Sequence, residues 1–330
     1  MSHNLSVGSA VELVRIDKAH DGQRIDNFLI TRLKGVPRSH LYRVLRRGEV
    51  RVNKGRVKPG YRLRNGDLVR IPPLRCTSMA TPAYPTRDRL KYLPAAVLYE
   101  DEHLMALNKP SGMAVHGGSG LSWGLIEAMR SLRPELPELA LVHRLDRETS
   151  GCLLLSKRRG PLRELHHLIR EQAVTKRYVT LLAGRLKQRR KVDAPLRKNP
   201  LRSGERVVRI DPQAGKPACT VFRPLRRLGD FTLAEAEPRT GRTHQIRVHA
   251  AYLGMPVAGD EKYGDPELNR RLRSMGLRRL FLHASALILW PSHRDRPLHI
   301  EAPLPPELEA VLGSIGEKGT ARFRYVVCPR

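Results

Sequence analysis

The stretch HRLDRETSGCLLLSK, His143–Lys157, sets a mostly polar segment directly against an unbroken apolar run, Cys152 to Leu155. Such a run reads as a strand buried on both faces. A loop tied to a buried strand is held rigidly, and this loop carries one acid, Asp146, between Arg144 and Arg147, with His143 nearby. Opposite charge nearby favours the ionised form of a carboxylate. The acid is either half of a surface salt bridge or an anion kept ionised in order to react.

The same texture extends outward from Ala96. AVLYEDEHLMALNKPSG reads as strand, turn, strand, and PLRELHHLIREQ as a helix. KRYVTLLAG, CTVFRPLRRL and DFTLAEAEP read as strands, RTHQIRVHAAYLG as a helix, and LFLHASALILW and RPLHIEAP as late strands. Strands joined by both hairpins and helices predict an α+β domain on a mixed, mostly antiparallel sheet.

Upstream, the texture differs. Residues 1–80 hold 17 Lys and Arg against 6 Asp and Glu. RIDNFLITRL places Ile25, Phe28, Leu29 and Leu33 on one helical face, and Leu41, Val44 and Leu45 give a second helix an apolar stripe that Gly48 ends. Alternation around Val50, Val52 and Leu68–Ile71, with turns at NKG and RNGD, predicts a small sheet. Arg43, Arg46 and Arg47 fall on the polar side of the second helix, followed by Arg51, Lys54 and Arg56. Charges of one sign are costly together unless phosphates neutralise them. The expected organisation is a small basic α/β module over 1–75, presenting either a phosphate-binding face or a generic basic surface, a proline-bearing linker over 76–95, the main domain over 96–313 and a tail over 314–330.

Composition narrows the function. The chain has 330 residues, a formal net charge of +29 and 40% hydrophobic residues, so it has material for a core and the charge of a polyanion binder. No run of about 18 apolar residues marks a membrane span, and the N-terminus lacks the charged start and apolar stretch of a signal peptide. A cytoplasmic protein is expected, with a monomer as the default. Cys76, Cys152, Cys219 and Cys328 are scattered, and neither H-E-x-x-H nor a P-loop occurs, so no metal and no nucleotide cofactor is expected.

Two further places hold polar residues that packing does not require. Tyr178 in TKRYVT shares a strand face with Lys176 and Thr180, and serves either as half-buried core or as a platform for a base. In EPRTGRTHQIRVH, Arg239, Arg242 and Arg247 surround a turn at Gly241. The turn can present Arg242 to an anion while Arg247 rides the following helix; phosphate binding without chemistry is the plainer alternative.

HRLDRETSG, KRYVT, TGRTHQIRVH and RLFLHA, with NKPSGMAVHGGSG ahead of them, resemble in order and spacing the RluA-type pseudouridine synthases. GVPRSHLYRVLRRGEVRVNKGRVKPGYRLRNGD resembles the S-four-like module that grips structured RNA. The likeness spans about residues 11–313. It implies the pseudouridine synthase fold and an enzyme that isomerises specific uridines of 23S ribosomal RNA without a cofactor. It implies Asp146 as nucleophile, Tyr178 packing on the flipped base, and Arg242 as the ion-pair partner of Asp146. Arg144 would fill the space the base leaves, and Leu282 would line the pocket. The alternative of a different class is an RNA-binding or ribosome-assembly factor whose acid is structural.

Overall fold

The structure is a computed structural model that describes residues 11–33, 36, 38–74, 90, 92–117, 123–200 and 206–315. Most of the expected linker and residues 316–330 of the expected tail lie outside this set. The chain divides into two compact units, Met1–Ala83 and Tyr84–Arg330.

In the first unit, β1 (Glu12–Arg15) leads to helices α1 (Ile25–Arg32) and α2 (Arg38–Arg47). Then come β2 (Arg51–Val52), β3 (Gly55–Arg56) and β4 (Leu68–Ile71), giving an antiparallel sheet ordered β1-β4-β2-β3. The two apolar helical stripes meet this sheet. Ile25, Phe28, Leu29, Leu33, Leu41, Val44 and Leu45 are buried with Val50, Val52, Val69 and Ile71. Gly48 follows α2 at φ +71°, the left-handed conformation of a helix C-terminal glycine. Arg43, Arg46 and Arg47 are exposed on α2.

The second unit holds β5 (Val97–Glu100), β6 (Leu104–Lys109), α3 (Leu125–Leu132), β7 (Ala140–Leu141), β8 (Ser150–Ser156) and α4 (Arg159–Arg170). There follow β9 (Thr175–Ala183), β10 (Arg190–Asp193), β11 (Leu196–Pro200), β12 (Arg206–Ile210), β13 (Cys219–Leu228) and β14 (Phe231–Pro238). The unit finishes with α5 (Gln245–Tyr252), α6 (Pro266–Ser274), β15 (Leu282–Leu289), β16 (Leu298–Glu301) and α7 (Pro306–Ile315). Among the described residues the main sheet runs β10-β13-β14-β9-β15-β8-β6-β5, with β16 beside β15 and β7 beside β8. Its pairings are antiparallel except β15 with β8. Mixed and mostly antiparallel is what the sequence predicts.

β8 is buried along its whole length, as its apolar run requires. Each of its leucines contributes roughly 1.5–3 kcal/mol by leaving water. β9 is covered on both faces by alternation: Tyr178 and Leu182 join one core cluster, Val179 and Leu181 another. The hairpin β11–β12 has no counterpart in the sequence reading, because its strands are rich in charge. It is anchored by Leu196 and Val208 against Val248 of α5.

Candidate active site

The site begins with the loop ahead of β8. Gly151 sits at φ +108°, where a Cβ would lie 2.2 Å from the Ala284 carbonyl oxygen. Only glycine lets β8 and β15 approach this closely, and here their parallel pairing begins, Ser150 opposite His283. The preceding serine is locked as well. The Ser150 Oγ lies 2.9 Å from His283 Nδ1 and accepts from Arg279 Nη2 at 2.6 Å. His283 Nε2 faces the Ala302 carbonyl at 3.2 Å, so that nitrogen carries the proton and Ser150 donates to Nδ1.

Lys109, at the end of β6, clamps the loop from below. Its side chain is fully buried and its ammonium donates to the carbonyls of Pro110, Met113 and Arg147 at 2.8, 2.8 and 3.1 Å. Burial pushes its pKa down to about 7, while Glu148 and Asp146 act in the opposite direction. Ser111 Oγ donates to the Glu148 carbonyl, and Gly112 and Arg147 exchange hydrogen bonds. The NKPSG segment is thus the cradle of the loop that presents Asp146.

The turn before α5 forms the opposite wall. Gln245, almost fully buried, bolts it down: its Oε1 accepts from Arg242 N and Thr240 Oγ1 at 3.0 and 2.7 Å. Its Nε2 donates to the Cys219 carbonyl and Thr220 Oγ1. His244 takes the left-handed conformation at φ +52°, uncommon for a residue with a side chain. That geometry directs its ring into the site, where Nε2 stands 3.9 Å from Asp146 Oδ2. Nδ1 is 2.8 Å from the Tyr263 hydroxyl oxygen, which accepts from Val208 N at 3.0 Å. The hydroxyl proton is therefore free to go to Nδ1, which leaves the proton of His244 on Nε2, facing the carboxylate. Burial lowers the His244 pKa against the pull of Asp146.

Arg247, one turn along α5, is nearly buried. It pairs twice with Asp260, Nε to Oδ2 and Nη2 to Oδ1, both at 2.7 Å, and lies over the Tyr263 ring. The Asp146 carboxylate also acts on this guanidinium, raising its pKa together with Asp260. Arg242 behaves differently from expectation. It is exposed, its Nε donates to the Pro217 carbonyl at 3.0 Å, and among the described residues it forms no ion pair with Asp146. The Gln245 bolt fixes the Arg242 backbone, and the side chain reaches to Pro217, just ahead of β13. The neighbours of Asp146 in sequence do not pair with it either: Arg147 turns to Gly112 and Glu148, and Arg144 is exposed.

These walls enclose a cavity of about 240 Å³. Asp146, Arg144, Tyr178, Arg242, Arg247 and Leu282 all line it, so six sequence-predicted residues from four segments meet in one place. Among the described residues Asp146 is its only acidic side chain. Tyr178 is nearly buried. Burial and Asp146 push its phenol well above the ordinary tyrosine range, and its hydroxyl has no hydrogen-bond partner among the described residues.

A family model described as RNA pseudouridylate synthase matches residues 103–252, and an S4 domain model matches residues 23–69. The chain is 50% identical over 314 residues to the ribosomal large subunit pseudouridine synthase C of Pasteurella multocida, covering 94% of this chain and 96% of that one. The chain belongs to the pseudouridine synthase family. The synthase of the same name from Escherichia coli K12 is 52% identical over 307 residues, 92% of this chain and 96% of that one. The human RNA pseudouridylate synthase domain containing 4 superimposes at a TM-score of 0.57 and 27% identity, over 69% of this chain and 95% of that one. The chain is thus a pseudouridine synthase with an attached S4 RNA-binding domain. Among the described residues no group of three or more His, Cys, Asp or Glu is arranged to hold a metal, and no helix is long and apolar enough to cross a membrane.

Sequence reading assigned no role to four residues of this synthase site: Lys109, Lys176, His244 and Gln245. Each stands inside a quoted motif, so its presence there was visible. What each meets was not: Lys109 reaches the Arg147 carbonyl, His244 meets Tyr263 and Asp146, and Gln245 ties its turn to Cys219 and Thr220 of β13.

Proposed function

We propose that this synthase converts uridines of large-subunit ribosomal RNA to pseudouridine, with Asp146 as the nucleophile. The assembled cavity carries the reading: a carboxylate faces a protonated phenol, between a basic loop and an arginine-bearing helix. The near 50% identity to synthases named for the large ribosomal subunit supports the substrate class.

The reaction breaks the bond between ribose C1′ and uracil N1, turns the base, and joins C1′ to C5. N1 gains a hydrogen and C5 loses one, so no oxidant or water is consumed. A carboxylate suits this because it can bond to an electrophilic carbon and later leave. A stacked base cannot turn, so the nucleotide must leave the helix at a cost of roughly a few kcal/mol. Leu282, Val142 and Ile169 give the cavity its apolar lining for the extruded base, and the Tyr178 ring packs against it. Arg144, exposed at the mouth, is placed to fill the vacated stack with a planar cation.

The countercharge for Asp146 comes from α5. Arg247 supplies the fixed positive field and His244 the N–H that faces Oδ2, leaving the other oxygen for the substrate. Asp146→Asn tests the reading. Tritium release from rRNA labelled at uracil C5 should vanish while RNA affinity persists. Release at the wild-type rate would remove Asp146 from the chemistry.

A further inference from the structure

Among the described residues, the cavity holds one cation whose charge nothing answers. Lys176 lies on β9 two residues before Tyr178, on the same strand face, and both line the cavity. Among the described residues its ammonium has neither an ion pair nor a hydrogen bond. The other basic groups of the lining are engaged, neutral or at the surface. Arg247 is held by Asp260, Arg242 by the Pro217 carbonyl, and Arg144 is exposed. His143 accepts from Leu154 N through Nε2, and burial, reinforced by the charge of Lys176, drives its pKa to about 3.

An isolated cation withdrawn from water is costly and is ordinarily paired. Burial lowers the Lys176 pKa. One cavity thus offers both a carboxylate and an unanswered ammonium, and the charge of that ammonium is felt at His143. An extruded nucleotide carries a partner for each, a ribose and base for the acid and a backbone phosphate for the cation.

We propose that Lys176 is a phosphate-binding residue that fixes the polarity of the flipped nucleotide in the cavity, its ammonium taking a backbone phosphate adjoining the target uridine. The proposal rests on the reading of the cavity as a uridine site. Lys176 is a point-charge donor at the half-buried start of β9, two residues from the Tyr178 ring.

The test uses the full-length protein and transcribed 23S rRNA labelled with tritium at uracil C5. Lys176→Met should raise KM about tenfold, the value of one lost charge-assisted contact, with little change in kcat. The log–log salt dependence of rRNA retention on filters should flatten by about 0.7–0.9. Lys176→Arg should restore both. Lys176→Gln repeats the test should the methionine variant melt early, since it keeps a polar end without charge. A raised KM with an unaltered salt slope would mean a neutral contact and overturn the proposal. A fall in kcat at constant KM would assign Lys176 to loop geometry or chemistry instead, and would overturn it equally. Failure of the wild-type protein to release tritium sinks the synthase reading alone, because the filter slope reads the phosphate contact without turnover.

Discussion

At the scale of single residues, the site depends on histidines kept neutral. His283 is buried between Ser150 and Ala302 with its pKa lowered to about 4, and His143 is lowered to about 3, both chiefly by burial. An unfolded chain protonates histidine near pH 6.5. Between that value and the folded values the unfolded state binds more protons, so stability falls as pH falls. Stability is complete above about pH 6.5 and is lost progressively down to about pH 4 for His283 and about pH 3 for His143. The loss is on the order of 3 kcal/mol for His283 alone. Denaturant midpoints at pH 7.5 and 4.5 should differ in that direction, and His283→Gln should shrink the difference. Asp146 and Tyr178 stood out in the sequence as polar residues that packing does not require, the roles offered for them came from the family resemblance, and both line the cavity. The partner of Asp146 was not legible. Arg242 is close in sequence and chemically plausible, but its backbone is bolted by Gln245 and its side chain turns to Pro217, while His244 and Arg247 face inward.

At the scale of elements, the β8–β15 crossing decides where the loop bearing Asp146 stands. The apolar run at Cys152–Leu155 announces the strand. The glycine before it is informative only once Ala284 is seen 2.2 Å from where a Cβ would stand. Gly151→Ala should destabilise the protein by about 2–4 kcal/mol, since a positive-φ penalty adds to a backbone clash. It should also depress kcat more than RNA affinity, because the loop moves while the basic surfaces remain. Urea unfolding and tritium release measure the two effects. Wild-type stability in this variant would show that β8 can shift away from β15 without cost. Elements with a clear period, such as α1, α2, α4 and β9, were legible in sequence. β11 and β12 were not, because charged strands in a two-stranded ribbon lack the alternation that a half-buried sheet imposes.

At the scale of the whole molecule, charge and partition into two units set the expectation for RNA binding. The net charge of +29 is carried by a chain of two compact units, and the first presents Arg43, Arg46 and Arg47 on the exposed side of one helix. Within that unit their contacts are weak: Arg46 Nε reaches the Tyr42 carbonyl, and Arg47 stands 3.8 Å from Glu49. Exposed pairs of this kind are worth little, so these cations are available to phosphate. Replacing all three with alanine should weaken rRNA binding and flatten its log–log salt dependence by about 2–3 units, with kcat on saturating RNA retained. An unchanged slope in filter binding would remove α2 from the RNA interface.

The sequence by itself determined the two-part organisation, the basic character of the first unit, the strand that carries the Asp146 loop and the chemical types gathered at the site. These follow from composition, from periodicity and from short motifs, all of which act over a few neighbouring residues. Only the tertiary structure decided which groups face Asp146, that Lys109 underpins its loop, and that Lys176 has no counter-ion among the described residues. Each of those facts is a contact, or a missing one, between side chains from segments far apart in the chain. Such distances are set by how buried strands cross and how turns are bolted, which no local pattern records.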